Sequence, residues 1–153
     1  MKVKEIMKTE VLSFKPDDNA REALGLLFKK EISGLPVIDA QGKLAGMFTE
    51  KGILRHILPS YVEQVGRFIY KENPKAIKKK FLELEKMKVS EIMRREVVTT
   101  SEDTTLCEVA KDMLTQKARR VPVLDKDGRV VGIVARCDIL KALEEEAGAV
   151  AGK

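Results

Sequence analysis

The sequence is poor in the residues that build metal sites, redox sites and aromatic stacking surfaces. It contains no Trp, one His and two Cys, and its aromatic residues are five Phe and two Tyr. Cys107 and Cys137 lie thirty positions apart with no CxxC pattern, so they form neither a convincing zinc site nor a catalytic pair with His56. So few aromatic residues leave little for stacking single-stranded nucleic acid bases. Paired carboxylates and activated nucleophiles are also absent, and we therefore expect no enzyme activity and no required cofactor or metal.

Long hydrophobic runs are missing as well. The longest uncharged stretches, such as Val130–Ala135, fall far short of the roughly 20 apolar residues that a membrane helix needs. The N-terminus, Met1-Lys2-Val3-Lys4-Glu5, lacks the apolar core of a signal peptide. We therefore expect a soluble, cytoplasmic protein with no membrane partner. The 153 residues are enough for one domain or two very small ones.

What the sequence does contain is an internal repeat. A shift of 86 positions aligns residues 3–54 with residues 89–140 without a gap. Two copies of one supersecondary unit are therefore present, joined by a segment of different character. The identical pairs include Val3/Val89, Glu5/Glu91, Ile6/Ile92, Met7/Met93, Pro36/Pro122, Gly42/Gly128 and Gly46/Gly132.

Each copy begins with a predicted strand and helix. The strand is a short apolar run, residues 11–13 or 97–99. The helix that follows has apolar residues at i, i+3, i+4 and i+7, which is the pattern of an amphipathic helix. It begins after Asn19 in the first copy and Thr105 in the second, and each is followed three residues later by Glu, the spacing of a capping box.

Each copy continues with two strands and a second helix. The strands are predicted at 35–38 and 44–48, and at 121–124 and 130–134, with Gly42 or Gly128 where the turn between them needs a positive φ. The second helix begins near Thr49 or Ala135. A single β-α-β-β-α unit leaves one apolar face uncovered, so two units are expected to pack about a pseudo-two-fold axis.

The predicted fold class is therefore mixed α/β, with two β-α-β-β-α units and a helical insert between them. The predicted boundaries are 1–58 for the first unit, 59–88 for the insert, 89–145 for the second unit and 146–153 for a flexible tail.

The insert and the residues before it carry the net charge of the whole chain. Residues 55–88 contain nine Lys or Arg and four Glu, a balance of +5. Ser60 with Glu63, and Asn73 with Pro74, mark the starts of two helices. The run Lys78-Lys79-Lys80 is either a solvated helix face or a surface for polyphosphate, RNA or an acidic partner. We expect the insert helices to flank or embrace a second subunit through Phe68, Phe81 and Leu84.

The two copies share an opening, a central and a closing sequence motif. Each copy starts with Val-x-Glu-Ile-Met, continues through a Pro-Val strand within residues 33–39 or 119–125, and closes with Thr49-x-x-Gly52-Ile53-Leu54 or Ala135-x-x-Asp138-Ile139-Leu140. Over about two thirds of the chain this resembles a tandem pair of cystathionine β-synthase (CBS) domains, a Bateman module. The resemblance implies a regulatory homodimer that binds AMP, ADP, ATP or S-adenosylmethionine in clefts between its domains. With no catalytic domain in the sequence, we expect it to act on a separate, unknown target protein, or else on a ligand or as a buffer of a metabolite.

The resemblance also implies the ligand residues. In the family, Thr or Ser is followed three positions later by an Asp whose carboxylate can accept both ribose hydroxyls. The first copy keeps Thr49 with Gly52, whereas the second keeps Asp138 with Ala135. Each closing motif is expected to pair with the other copy. One predicted cleft contains Met7, Leu12, Ile32, Ser33, Ile133, Arg136 and Asp138, and the other contains Met47, Thr49, Met93, Val98, Ala118, Arg119 and Arg120.

Several of these residues also have a purely structural interpretation. Asp138 and Thr49 are placed to cap helices, a role that is compatible with ligand binding. Arg119 and Arg120 are either phosphate ligands or a surface charge pair, and the methionines of the predicted clefts are either adenine contacts or core residues. A second function stays open at this point: an adaptor for nucleic acid or a partner protein that uses the basic insert, with vestigial nucleotide sites.

Overall fold

The computed structural model describes residues 1–58 and 74–151, with side chains as far as residue 148. It confirms the mixed α/β class. The elements in chain order are α1 (Val3–Ile6), α2 (Ala20–Lys30), β1 (Gly34–Ile38), β2 (Leu44–Thr49), α3 (Glu50–Ile57), α4 (Pro74–Glu83), a 3₁₀ turn (Leu84–Lys86), α5 (Val89–Ile92), β3 (Thr100–Ser101), α6 (Leu106–Thr115), β4 (Arg120–Leu124), β5 (Val130–Ala135) and α7 (Arg136–Ala151).

These elements form two compact units that are not continuous in sequence. The central unit comprises residues 13–40 and 45–95. The C-terminal unit comprises residues 1–12, 41–44 and 96–153. The short helix that opens each repeat copy, α1 or α5, is therefore in the unit that contains the strands and helices of the other copy.

The central unit is built around the two-stranded sheet β1-β2. Phe14 forms a parallel bridge to Val37 of β1, and its ring meets that of Phe48 edge-on, with centroids 5.5 Å apart. The apolar stripe of α2 covers this cluster and places Leu24 and Leu27 in the core. Burial of this stripe is what stabilises an eleven-residue helix that would be marginal alone.

The C-terminal unit contains the three-stranded sheet β3-β4-β5. β3 is parallel to β4, and β4 is antiparallel to β5 with an irregularity at Val123/Leu124. Helices α1, α6 and α7 supply apolar residues to a core with the strands. The buried members of that core are Val3, Val109, Met113, Val121, Val123, Val134 and Ile139.

The predicted helix starts and turns are confirmed. The Asn19 side chain accepts a hydrogen bond from the Glu22 amide at 3.1 Å, and Thr105 Oγ1 accepts one from the Glu108 amide at 3.3 Å. Gly42 and Gly128 have φ values of 81° and 82°, the left-handed conformation that these turns require.

The predicted first strands are wrong in position. Residues 11–13 form no strand, and pairing begins instead at Phe14, which exchanges backbone hydrogen bonds of 2.9 Å with Pro36 and Ile38. In the second copy the strand is 100–101, not 97–99. A short apolar run does not fix the register, which in the first copy follows Phe14, the residue that is buried in the core.

Two further differences concern helices. The Val-x-Glu-Ile-Met motifs form the short helices α1 and α5, which the sequence pattern did not predict. Helix α7 runs as far as Ala151, so residues 146–151 continue a helix where a flexible tail was predicted. None of the described helices is long and apolar enough to cross a membrane.

The end of the insert is part of the central unit. The second predicted insert helix is confirmed as α4, with Lys75 and the Lys78–Lys80 run exposed, while the first predicted helix and Phe68 lie outside the described residues. Leu84 is fully buried in the central core, and Phe81 lies 4.7 Å beneath the Arg21 guanidinium. The expectation that Leu84 holds a second subunit is therefore wrong, because this side chain is fully buried within its own chain. The same expectation for the half-buried Phe81 stays a prediction. The alternative function of the basic face stays a prediction.

We predict that Leu84→Ala destabilises the protein by about 2–5 kcal/mol, the cost of emptying a fully buried leucine site. Leu82→Ala, two residues away on an exposed side chain, should change stability by no more than about 0.5 kcal/mol. Urea unfolding of both variants measures this difference. Equal stabilities of the two variants would show that the 3₁₀ turn does not belong to the core.

Candidate ligand-binding site

The start of α7 contains a buried carboxylate. β5 runs directly into α7, and Asp138 lies in the first turn of that helix with its side chain only 6% exposed. Its Oδ2 accepts a hydrogen bond of 2.8 Å from the Ala135 amide. Among the residues that the structure describes, Asp138 is the only buried charged or polar one, and all the others that are buried are apolar or glycine. The predicted capping role of Asp138 is therefore confirmed, and one carboxylate oxygen is used for it.

The other oxygen of Asp138 faces Lys8. Lys8 Nζ lies 3.7 Å from Asp138 Oδ1, and the lysine side chain is 61% exposed. Lys8 is brought there by a pair of backbone hydrogen bonds with Ile133 in β5, each 2.9 Å long. One oxygen of the carboxylate is therefore bonded to the main chain, whereas the other lies toward the exposed Lys8 ammonium group.

A close backbone approach makes this arrangement possible. A Cβ atom at Gly46 would lie 2.6 Å from the Arg94 carbonyl oxygen, and one at Gly132 would lie 3.0 Å from the Lys8 carbonyl oxygen and 2.6 Å from Met7 Sδ. A side chain at either position would press on the neighbouring backbone, which explains why the repeat has glycine at both positions. Met93 is a buried core residue of the central unit, and Met7 packs partly buried on the C-terminal core.

The residues that precede β4 also lie beside the start of α7. The Arg136 amide donates to the Arg119 carbonyl at 3.2 Å, and Arg136 Nε donates to the Ala118 carbonyl at 3.3 Å. Both bonds lie within the C-terminal unit. Two residues assigned by sequence to different clefts, Arg119 and Asp138, are therefore in the same unit.

The central unit repeats the backbone arrangement with different side chains. The Glu50 amide donates to the Ser33 carbonyl at 2.9 Å, as Arg136 does to Arg119. Met47 and Arg94 exchange backbone hydrogen bonds of 2.9 and 2.8 Å, as Ile133 and Lys8 do. Gly52 stands at the position of Asp138, so the central unit has no carboxylate there.

The two copies hold complementary halves of one capping box. In a complete box, the first residue caps the amide of the fourth and the fourth caps the amide of the first. Thr49 Oγ1 accepts from the Gly52 amide at 3.0 Å, which is the first half. Asp138 accepts from the Ala135 amide, which is the second half. Both structural interpretations of the closing motifs are therefore correct, whether or not a ligand binds.

The structure distributes the predicted site residues between the two units. Arg120 begins β4 and pairs with Ala135. The C-terminal unit contains Met7, Leu12, Val98, Ala118, Arg119, Arg120, Ile133, Arg136 and Asp138. The central unit contains Ile32, Ser33, Met47, Thr49 and Met93. The two clefts as ligand sites stay a prediction.

Sequence reasoning missed Lys8 and Arg94. They are equivalent by the 86-residue shift and are both cationic, which is the signal that could have identified them. Over the ranges that the structure describes, no three His, Cys, Asp or Glu side chains lie close enough to hold a metal ion.

Two copies of one α/β unit, each closing in a capped strand-to-helix turn, define a tandem-repeat module. The family model of the CBS domain matches residues 3–59 and 89–145. The chain belongs to the CBS domain family and contains two copies of that domain.

The relatives include proteins of similar length. The uncharacterised protein MJ1426 of Methanocaldococcus jannaschii is 32% identical over 94% of this chain and 91% of its own length. CBSX2 of Arabidopsis thaliana, solved in complex with AMP, is 25% identical, with a TM-score of 0.72 over 95% of this chain and 98% of that one. The chain also matches two inosine-5'-monophosphate dehydrogenases but spans only 23% and 22% of their lengths.

A second solved structure contains a different set of adenosine compounds. The CBS domain pair of protein MJ0100, in complex with 5'-methylthioadenosine and S-adenosyl-L-methionine, is 29% identical. Its TM-score is 0.66 over 95% of this chain and 98% of that one. Relatives of this chain thus bind both nucleotides and sulfur-containing adenosyl ligands.

We predict that the two half-caps respond in opposite directions. Thr49→Ala should destabilise the protein by about 0.5–2 kcal/mol, because the Gly52 amide loses its acceptor. Ala135→Thr should stabilise it by a similar amount, because it completes the box with Asp138. Thermal unfolding of the two variants beside the parent chain measures both effects. A destabilised Ala135→Thr protein would show that the turn has no space for the hydroxyl group.

Proposed function

We propose that this CBS domain pair is a non-catalytic regulatory module that binds an adenosine-containing ligand at Asp138 and passes its occupancy to a separate partner protein. The observation that carries the proposal is the buried Asp138 carboxylate. One of its oxygens is committed to the Ala135 amide, while the other faces only the exposed Lys8 ammonium. A carboxylate oxygen in this position is a strong acceptor for hydroxyl groups such as those of a ribose.

The relatives support the ligand class. One relative was solved with AMP and another with 5'-methylthioadenosine and S-adenosyl-L-methionine, and adenosine with its ribose diol is common to all three ligands. The diol is the part that Asp138 would recognise. Arg119, exposed next to Arg136, adds positive charge that favours a phosphate-bearing ligand over a neutral one.

We predict that Asp138→Asn weakens adenosine-ligand binding by about 1.5–3 kcal/mol, the range for hydrogen bonds to a charged group. Asparagine keeps an oxygen for the Ala135 amide, so the fold should survive. Calorimetry with AMP and S-adenosylmethionine measures the loss. Asp103→Asn, an exposed carboxylate of the same unit that pairs with Lys2 and Lys4, is the charge-matched control and should bind like the parent chain.

Unchanged affinity and stoichiometry in folded Asp138→Asn would remove Asp138 from the site. A parent chain that binds none of the adenosine ligands would contradict the proposed function itself.

The repeat also places exposed apolar side chains at equivalent positions of both units. Phe28 and Leu114, on α2 and α6, are related by the 86-residue shift, as are Leu54 and Leu140 on α3 and α7. Each is more than half exposed. A self-complementary contact with a second copy would cover these side chains at the same positions in both chains. The proposed module is therefore a homodimer.

We predict a dimer at micromolar concentration that the double variant Leu54→Glu/Leu140→Glu converts to monomer, because two buried apolar contacts become charged. Leu82→Glu changes an exposed leucine elsewhere and should leave the dimer intact. Analytical ultracentrifugation measures the three masses. A monomeric parent chain, or a dimeric double variant, would contradict this interface.

A further inference from the structure

The Lys8 ammonium lies near the Asp138 oxygen that the Ala135 amide leaves unused. Asp138 has two acceptor oxygens, and the Ala135 amide takes Oδ2 at 2.8 Å. The Lys8 ammonium faces Oδ1 at 3.7 Å. A ribose diol that binds this carboxylate would therefore compete with the ammonium for the space beside Oδ1.

The backbone of Lys8 is fixed while its side chain is free to turn. The two 2.9 Å hydrogen bonds with Ile133 hold the main chain, and Met7 packs against Gly132 beside it. The side chain is 61% exposed, and an ion pair of this exposure is weak. The ammonium can therefore move by rotation about its own side-chain bonds, without movement of the main chain.

The central unit provides an internal comparison. Arg94 occupies the equivalent position and makes the same backbone bridge, to Met47. It has no carboxylate to pair with, because Gly52 replaces Asp138, and it forms no ion pair with any residue that the structure describes. Of the two repeat-related positions, only the one in the C-terminal unit therefore has a cation that faces a carboxylate.

We propose that Lys8 is a specificity-determining residue, which pairs with Asp138 in the free protein and with a ligand phosphate when the ribose occupies Asp138. The inference rests on the proposed function. An ammonium group displaced from Oδ1 remains within a side chain's reach of the bound ribose. A phosphate attached to that ribose restores its ion pair, whereas a neutral nucleoside leaves the ammonium to water and a sulfonium ligand adds a like charge. The site should therefore favour phosphorylated adenosines.

The test compares AMP with adenosine, which differ only in the phosphate. Calorimetry on the parent chain and on Lys8→Gln measures the ratio of the AMP and adenosine affinities for the binding event that Asp138→Asn weakens. We expect Lys8→Gln to lower this ratio about tenfold, equivalent to 1.4 kcal/mol. The change should come from weaker AMP binding, with adenosine affinity unchanged or increased, because the ammonium no longer competes for Asp138. The ratio of AMP affinity to adenosine affinity in the parent chain should also decrease as salt is added, because salt screens the ion pair.

Two further variants complete the design. Arg94→Gln removes the repeat-equivalent cation and should leave the ratio at the Asp138 site unchanged. Lys8→Arg keeps the charge and should keep the preference for AMP. This variant keeps the proposal testable if Lys8→Gln folds poorly.

Equal losses for AMP and adenosine in Lys8→Gln, or no change in either, would overturn the role of Lys8 and leave the proposed function standing. Loss of the AMP preference in Lys8→Arg, or the same shift in Arg94→Gln, would also contradict it. A parent chain that binds neither compound would instead refute the proposed function, and the role of Lys8 with it.

Discussion

Two pairs of backbone hydrogen bonds organise the candidate site. Lys8 and Ile133 exchange amide and carbonyl bonds of 2.9 Å in the C-terminal unit, and Arg94 and Met47 do so in the central unit. Each pair joins the opening segment of one repeat copy to the last strand of the other, so neither copy completes its own unit. Glycine at 46 and 132, the methionines that pack against them and the cation beside the strand-to-helix turn all follow from this close backbone approach.

Within that shared backbone, the two copies have diverged in charge. The closing turn of the central unit is capped by a neutral hydroxyl and has an unpaired cation among its described neighbours, whereas that of the C-terminal unit is capped by a carboxylate and has a lysine to neutralise it. A helix cap needs one acceptor, and either half of the capping box supplies one. Helix stability is therefore served equally by the Thr49 hydroxyl and by the Asp138 carboxylate. Only the carboxylate also supplies a charged acceptor for a diol, so we infer that the units are not equivalent in binding.

The sequence was a good guide wherever structure follows from local chemistry. The Asn19 and Thr105 caps, the positive φ at Gly42 and Gly128 and helix α4 could all be predicted, because each depends on residues a few positions apart. It was a poor guide to partners distant in the chain. The repeat alone does not tell which copy Lys8 will join; the family resemblance indicated it, because it placed Met7 with Ile133. The burial of Leu84 depends on packing within the central unit, which a charged insert does not reveal. The shift of the first strand to Phe14 has the same cause.

The proposed role of Asp138 as a ribose ligand depends on one atom, Oδ1. A crystal structure of the chain grown with AMP would show whether the ribose contacts that atom. We expect the ribose hydroxyls at about 2.7 Å from Asp138 Oδ1, with the Ala135 amide still bonded to Oδ2 and Lys8 turned away from the carboxylate. AMP bound with its ribose away from Asp138 would contradict this role, whereas ribose bound at Asp138 with the contact between Lys8 and Asp138 undisturbed would contradict only the role of Lys8.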